Sequence, residues 1–139
     1  MIVSLHVASG AAGGALVRSR PAAVGLGLAL HLVGDLIPHQ DIASRRFEVA
    51  SGVAALILLA ARSGPLDPIT VGAAASSAPD LEHLLRLPRP GGRKLFPSHR
   101  VHGLHRAGGL PVWPQLLAAG VLLGTVLAGK TATACGTRR

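Results

Sequence analysis

A chain of 139 residues has room for one domain and not for two ordinary ones. Apolar residues make up 49% of it and charged residues 14%, against roughly 25% charged in soluble domains, which points to lipid as its surroundings. The net charge of +8 comes with two Phe, one Trp and no Tyr, so the bases are not interleaved with stacking aromatics and nucleic acid is not an expected partner. The lone Cys135 excludes an internal disulfide and a CxxC metal site, leaving His and carboxylate as the only metal-ligand chemistry.

Five apolar stretches follow one another. Residues 2–17, "IVSLHVASGAAGGALV", hold His6 and close at Arg18 and Arg20. No Lys or Arg precedes Arg18, so a secretory signal is not expected. Residues 21–37 start with Pro21, which suits a first helical turn, and stop before Pro38. The third stretch, 49–61, follows Arg45 and Arg46; its "EVASGVAA" echoes "HVASGAA" of the first, with Glu48 in the place of His6. The fourth opens on Asp67 as an N-cap with Pro68 behind it, and runs to Pro88 with a kink expected at Pro79. The fifth is 110–129, inside an uncharged run, and 130–139 reads as a disordered polar tail.

A membrane span needs about 20 apolar residues. The fifth stretch meets this alone; the set predicts an all-α integral membrane bundle of about five transmembrane helices, one domain over 1–129, with a soluble helical bundle as the alternative. Short basic loops stay cytoplasmic. The loop 88–109, with Arg89, Arg93, Lys94, Arg100 and Arg106, therefore marks the expected cytoplasmic side of a multi-pass protein. Alternating spans place all seven histidines in that half.

Two pairs fall at helical spacing: His31 with Asp35, and Asp80 with His83, each on one face of its helix. Two ligands from each of two helices, closed by His99 and His102, are a way to build a metal site in a bundle. His6 and His39 are further candidate ligands. The His share favours zinc, with manganese or iron as alternatives. An ionised Asp in hydrocarbon costs about 2.5–3.5 kcal/mol unless paired, and a divalent cation would serve both Asp35 and Asp80. Plainer readings stand beside each: a hydrogen-bonded His31–Asp35 pair, a capping box of Ser77 and Asp80, a solvated turn for His39 and Asp41, headgroup contacts for His99, His102 and His105, and a core histidine at His6.

The early His6, "PDLEH" at 79–83 and "HRVHGLH" at 99–105 resemble small multi-pass bacterial proteins described as membrane-bound metal-dependent hydrolases. That resemblance implies His6, Asp80, His83 and His99 as ligands. The chain departs from the pattern at Glu82, where the family has Asp, and in lacking the Gly-x-Thr-His-Ser that follows His-Arg. His31 and Asp35 are locally similar to the His-x-x-x-Asp helix of zinc-dependent phospholipases C and related nucleases, which implies a ligand role for both. The expectation is metal-assisted hydrolysis of a phosphoester or other ester at the bacterial inner membrane. Glu82 or Asp41 would be general base, Arg100 would hold the substrate anion, and the bilayer, including anionic lipid, would be the partner. The alternative is a non-catalytic metal-binding scaffold, sensor or carrier.

Overall fold

The computed structural model describes residues 1–85, 89–101, 103–104 and 108–136. The described residues form helices and turns, with a single isolated bridge between His39 and Leu110. The helices are α1 Val3–Leu16, α2 Arg20–Leu36, α3 Arg45–Ser63, α4 Pro68–Ser77, α5 Leu81–Leu84, α6 Pro97–Arg100 and α7 Val112–Gly136.

Local signals set most ends. Ser19 and Ser44 cap α2 and α3 by accepting from the Ala22 and Phe47 N–H groups, and Asp67 caps α4 by accepting from Ile69 N–H at 2.9 Å. Ile37, before Pro38, is extended and ends α2. Gly64, at φ 97°, ends α3 in a conformation that favours glycine. At Pro79 the chain does more than kink: α4 stops at Ser77, a 3-10 turn covers Ala78–Asp80, and α5 restarts at Leu81.

The expectation of five transmembrane helices is corrected. Among the described residues one segment, Val112–Gly129, is long and apolar enough to cross a membrane, while α1, also apolar, has 14 residues. At 1.5 Å per residue, α1 spans about 21 Å and α4 about 15 Å, against a hydrocarbon core of about 30 Å. The apolar stretches instead pack into a compact helical bundle. Helix α7 runs on through Lys130 to Gly136, and the last three residues of the expected tail lie outside the described residues.

Helix α1 is the axis, packed against α2, α3, α4 and α7. Its composition of Ala, Gly, Val and Ser lets it be buried nearly all round. Val7 and Ala11 join Leu59, Ile69, Ala73 and Val126 in one apolar cluster, and Ile2, Leu5 and Ala8 meet Ala119 in another. The tightest approach is between α1 and α4. A methyl group on Gly10 would strike the Gly72 carbonyl oxygen, one on Gly72 would strike the Gly10 carbonyl, and one on Gly27 of α2 would lie 2.6 Å from the Gly72 oxygen. Three backbones meet at this level, one to two turns from the histidines described below.

Gly10→Ala is expected to cost about 1–3 kcal/mol by overpacking. Gly25→Ala, with open space around the added methyl, is expected to stabilise by about 0.5–1 kcal/mol through helix propensity. Thermal unfolding of the two variants checks this; equal responses would show that the three helices are not in backbone contact there.

Candidate metal centre

Four chain segments meet at one end of the bundle. His6 lies in the first turns of α1, and His31 and Asp35 in the last turns of α2. Ser76 and Asp80 come from the end of α4 and its 3-10 turn, and Ser98 and His99 from α6. The carboxylate of Asp35, 1% exposed, is the hub. Its Oδ2 lies 3.1 Å from His31 Nε2 and 3.3 Å from His99 Nε2, and accepts from Ser98 Oγ at 2.6 Å. Its Oδ1 lies 3.3 Å from His6 Nε2 and 3.3 Å from the Met1 nitrogen. Asp80 Oδ1 stands 4.0 Å from His31 Nε2 and 3.9 Å from His99 Nε2.

The far sides of the rings decide which atoms face the hub. His31 Nδ1 is 2.7 Å from the Ser76 carbonyl, and His99 Nδ1 is 2.6 Å from Glu82 Oε1. A carbonyl or carboxylate accepts only, so each Nδ1 must carry its proton and each neutral ring turns the Nε2 lone pair toward Asp35. Lone pairs facing a carboxylate repel unless a proton or a cation lies between them. Ring N–H groups anchored in this way are the usual surroundings of metal-bound histidines.

The spacing fits a metal as well. His31 Nε2, His99 Nε2 and Asp35 Oδ2 form a triangle with sides of 3.1, 3.3 and 3.4 Å. Donors at 2.0–2.2 Å around a tetrahedral zinc are separated by about 3.3 Å. Orphaned atoms surround this triangle: both His6 ring nitrogens and Asp80 Oδ2 are buried with no hydrogen-bond partner among the described residues. These buried His/Asp groups can hold a metal ion.

Titration follows the same geometry. Burial pushes the Asp35 carboxyl up, but the adjacent His31, His6 and His99 rings and the Ser98 hydroxyl outweigh it and hold Asp35 far below the ordinary carboxylate range. Burial draws His6 down to about 3, offset only in part by Asp35. Burial raises Asp80 to about 6. For His99, burial acts downward, yet Asp35 and Glu82 raise it on balance.

Of the residues singled out from the sequence, the structure brings His6, His31, Asp35, Asp80 and His99 together. His83 lies outside, exposed, with its ring 4.3 Å from that of His99 and its Nδ1 3.1 Å from Lys94 Nζ. His39 is buried; its Nδ1 donates to the Ile37 carbonyl, and its Nε2 contacts the Met1 nitrogen and lies 3.3 Å from Asp41 Oδ1. Asp41 is 63% exposed. Arg100 is exposed at the end of α6 and lines a groove with Lys94 and His99. His102 and His105 lie outside the described residues.

Glu82, expected as a general base, holds the His99 ring in this structure. It is 3% exposed, accepts from the Leu95 and Phe96 N–H groups at 2.7 and 3.2 Å, and takes the His99 Nδ1–H. Both its oxygens are thus engaged in folding 95–99 back over the site. The Ser77–Asp80 capping box does not form, since the Ser77 hydroxyl donates to the Ala73 and Ala74 carbonyls. Three participants escaped the sequence reading, the Met1 terminal nitrogen among them. Ser98 was marked only by its place beside His99, and the Ser76 carbonyl carries no side-chain signal at all.

Comparison of the chain with protein-family models, with curated proteins and with solved structures finds no match.

Glu82→Gln keeps the shape but weakens the grip on the His99 ring. Metal affinity is expected to fall 10–100-fold, read by competition with a chromophoric chelator, while Asp41→Asn leaves it within threefold of the native value. An unchanged affinity in Glu82→Gln would remove Glu82 from the site's support.

Proposed function

We propose that the protein is a metal-dependent hydrolase acting on a phosphoester or other ester carried by an amphiphile, with zinc as its ion. The donor triangle of His31, Asp35 and His99 is the observation that carries this reading. Two imidazoles and a carboxylate, with Asp80 beside them, match the nitrogen-rich donor sets of catalytic zinc. The reading agrees with the resemblance of "PDLEH" and the His-Arg segment to membrane-bound metal-dependent hydrolases.

Asp80 supports catalysis over simple storage, because it sits where the site opens. Its side chain is 18% exposed. It lines two clefts: one of about 370 Å³ with Asp41, Arg45, Glu48 and His83, and an apolar one of about 290 Å³ with Val7, Val53, Leu56 and Leu84. A polar slot and an apolar slot meeting at one carboxylate suit a head group and a hydrocarbon tail. The groove of about 330 Å³ lined by Lys94, His99 and Arg100 offers positive charge to an anionic head.

A bound divalent ion supplies Lewis acidity, polarising the scissile oxygen and bringing a water's pKa to about 7. The chain does the rest. Asp35 and the two anchored imidazoles hold fixed geometry, Arg100 and Lys94 orient the anion, and Asp80 Oδ2 accepts the proton from the attacking water. A carboxylate standing at the open edge of the site is placed for that transfer. Exposed Trp113, Leu117 and Val121 on α7 form an apolar face that favours a substrate drawn from a lipid surface.

A second reading, a closed structural metal site, is favoured by the burial of His6, His31 and Asp35, each at most 1% exposed. The two readings separate on purified protein by elemental analysis together with turnover of bis(p-nitrophenyl) phosphate, p-nitrophenyl esters and phospholipid. The hydrolase reading expects bound zinc and turnover, with Asp80→Asn reducing turnover by about 10²–10⁴-fold while the protein stays folded. Bound zinc without turnover, and a large loss of thermal stability on chelation, would replace it by the structural site. Metal-free protein that stays folded and does not take up added zinc would end both.

A further inference from the structure

The donor triangle leaves His6 unexplained. This side chain is fully buried, and neither ring nitrogen has a hydrogen-bond partner among the described residues. Its ring stacks on His31 with centroids 4.0 Å apart and planes 22° from parallel. Both Nε2 atoms face the same carboxylate, His6 toward Oδ1 at 3.3 Å and His31 toward Oδ2 at 3.1 Å.

Stacked rings aimed the same way have in-plane lone pairs that run side by side and do not converge. One ion at about 2.0–2.1 Å from both nitrogens would lie off both ring planes, where imidazole does not bind metal. The two oxygens of Asp35 divide in the same way, Oδ2 toward His31 and His99, Oδ1 toward His6. Resting on the metal reading above, we propose that the centre takes two divalent ions bridged by the Asp35 carboxylate, the second held by His6 Nε2 and Asp35 Oδ1. Paired ions in two-metal sites are roughly 3.5–4 Å apart, close to the separation of the stacked rings. The Met1 terminal ammonium lies against both Asp35 Oδ1 and His39 Nε2, so a second ion at Oδ1 takes the place of the ammonium, with His39 on that side. Asp80 Oδ1 remains on the His31–His99 side.

The test is stoichiometry and ion–ion coupling on the full chain, read without activity. Metal-depleted protein is titrated with Zn²⁺ and analysed for bound metal, and separately loaded with Mn²⁺ for electron paramagnetic resonance. The expected result is two equivalents of zinc and an exchange-coupled manganese spectrum. His6→Ala and His6→Gln, checked for folding by circular dichroism, should each retain one equivalent and give the six-line signal of an isolated ion. One equivalent in the native protein, with an isolated-ion spectrum, overturns the two-ion proposal and leaves the single-metal reading intact. No binding at all overturns both. Two equivalents in folded His6 variants would show that His6 is not the second ion's ligand and overturn the assignment.

Discussion

A buried carboxylate facing three imidazoles is the constraint around which this molecule is arranged. Asp35 cannot be left alone in the interior, because an isolated charge there is far more costly than any hydrogen bond returns. Its neighbours come from α1, α2 and α6, with the turn after α4 alongside, so satisfying one side chain ties four segments together. The His31 and His99 Nε2 lone pairs face this carboxylate, an arrangement that a proton or a divalent cation can balance.

The constraint can be met only because the helices approach unusually closely. Ordinary helix axes pack at 8–10 Å, a distance set by the side chains between them. At Gly10, Gly27 and Gly72 no side chain intervenes, and backbone meets backbone across α1, α2 and α4. The stacked rings of His6 and His31 lie about one turn beyond this contact, and their 4.0 Å separation follows from it. Glycine composition and the geometry of the site are therefore linked: a wider crossing would pull His6 away from Asp35.

Around the hub, the supporting atoms are mostly acceptors. The Ser76 carbonyl and Glu82 each take a ring proton and so determine which nitrogen faces inward. Glu82 is held in turn by two backbone N–H groups of the segment that carries His99. Asp80 stands at the edge of this arrangement, where a polar and an apolar cleft converge.

Much of this could be read from the chain before any coordinates. The i, i+4 spacing of His31 and Asp35 puts them on one helix face whatever the packing, and Asp67–Pro68 and Ile37–Pro38 mark helix ends by local sterics alone. The alternation of helices was enough to bring His6, His31 and His99 toward one end. Tertiary structure decided the rest. Composition reports how apolar a chain is and not whether each helix reaches across a bilayer or turns at a proline, so the five-span expectation failed on helix length and, in the 19-residue α3, on its charged residues. Asp80 and His83 both follow Pro79 at i, i+3 spacing, yet His83 is exposed beside Lys94 while Asp80 stands against His31 and His99, a difference set by the packing around them. Glu82 and Ser98 took their roles from a loop folding back over the site, a contact between residues 13 to 63 positions apart that no local spacing encodes. Short-range geometry is written in neighbouring residues, whereas the meeting of His6, His31 and His99 on one carboxylate depends on how closely separate backbones can approach.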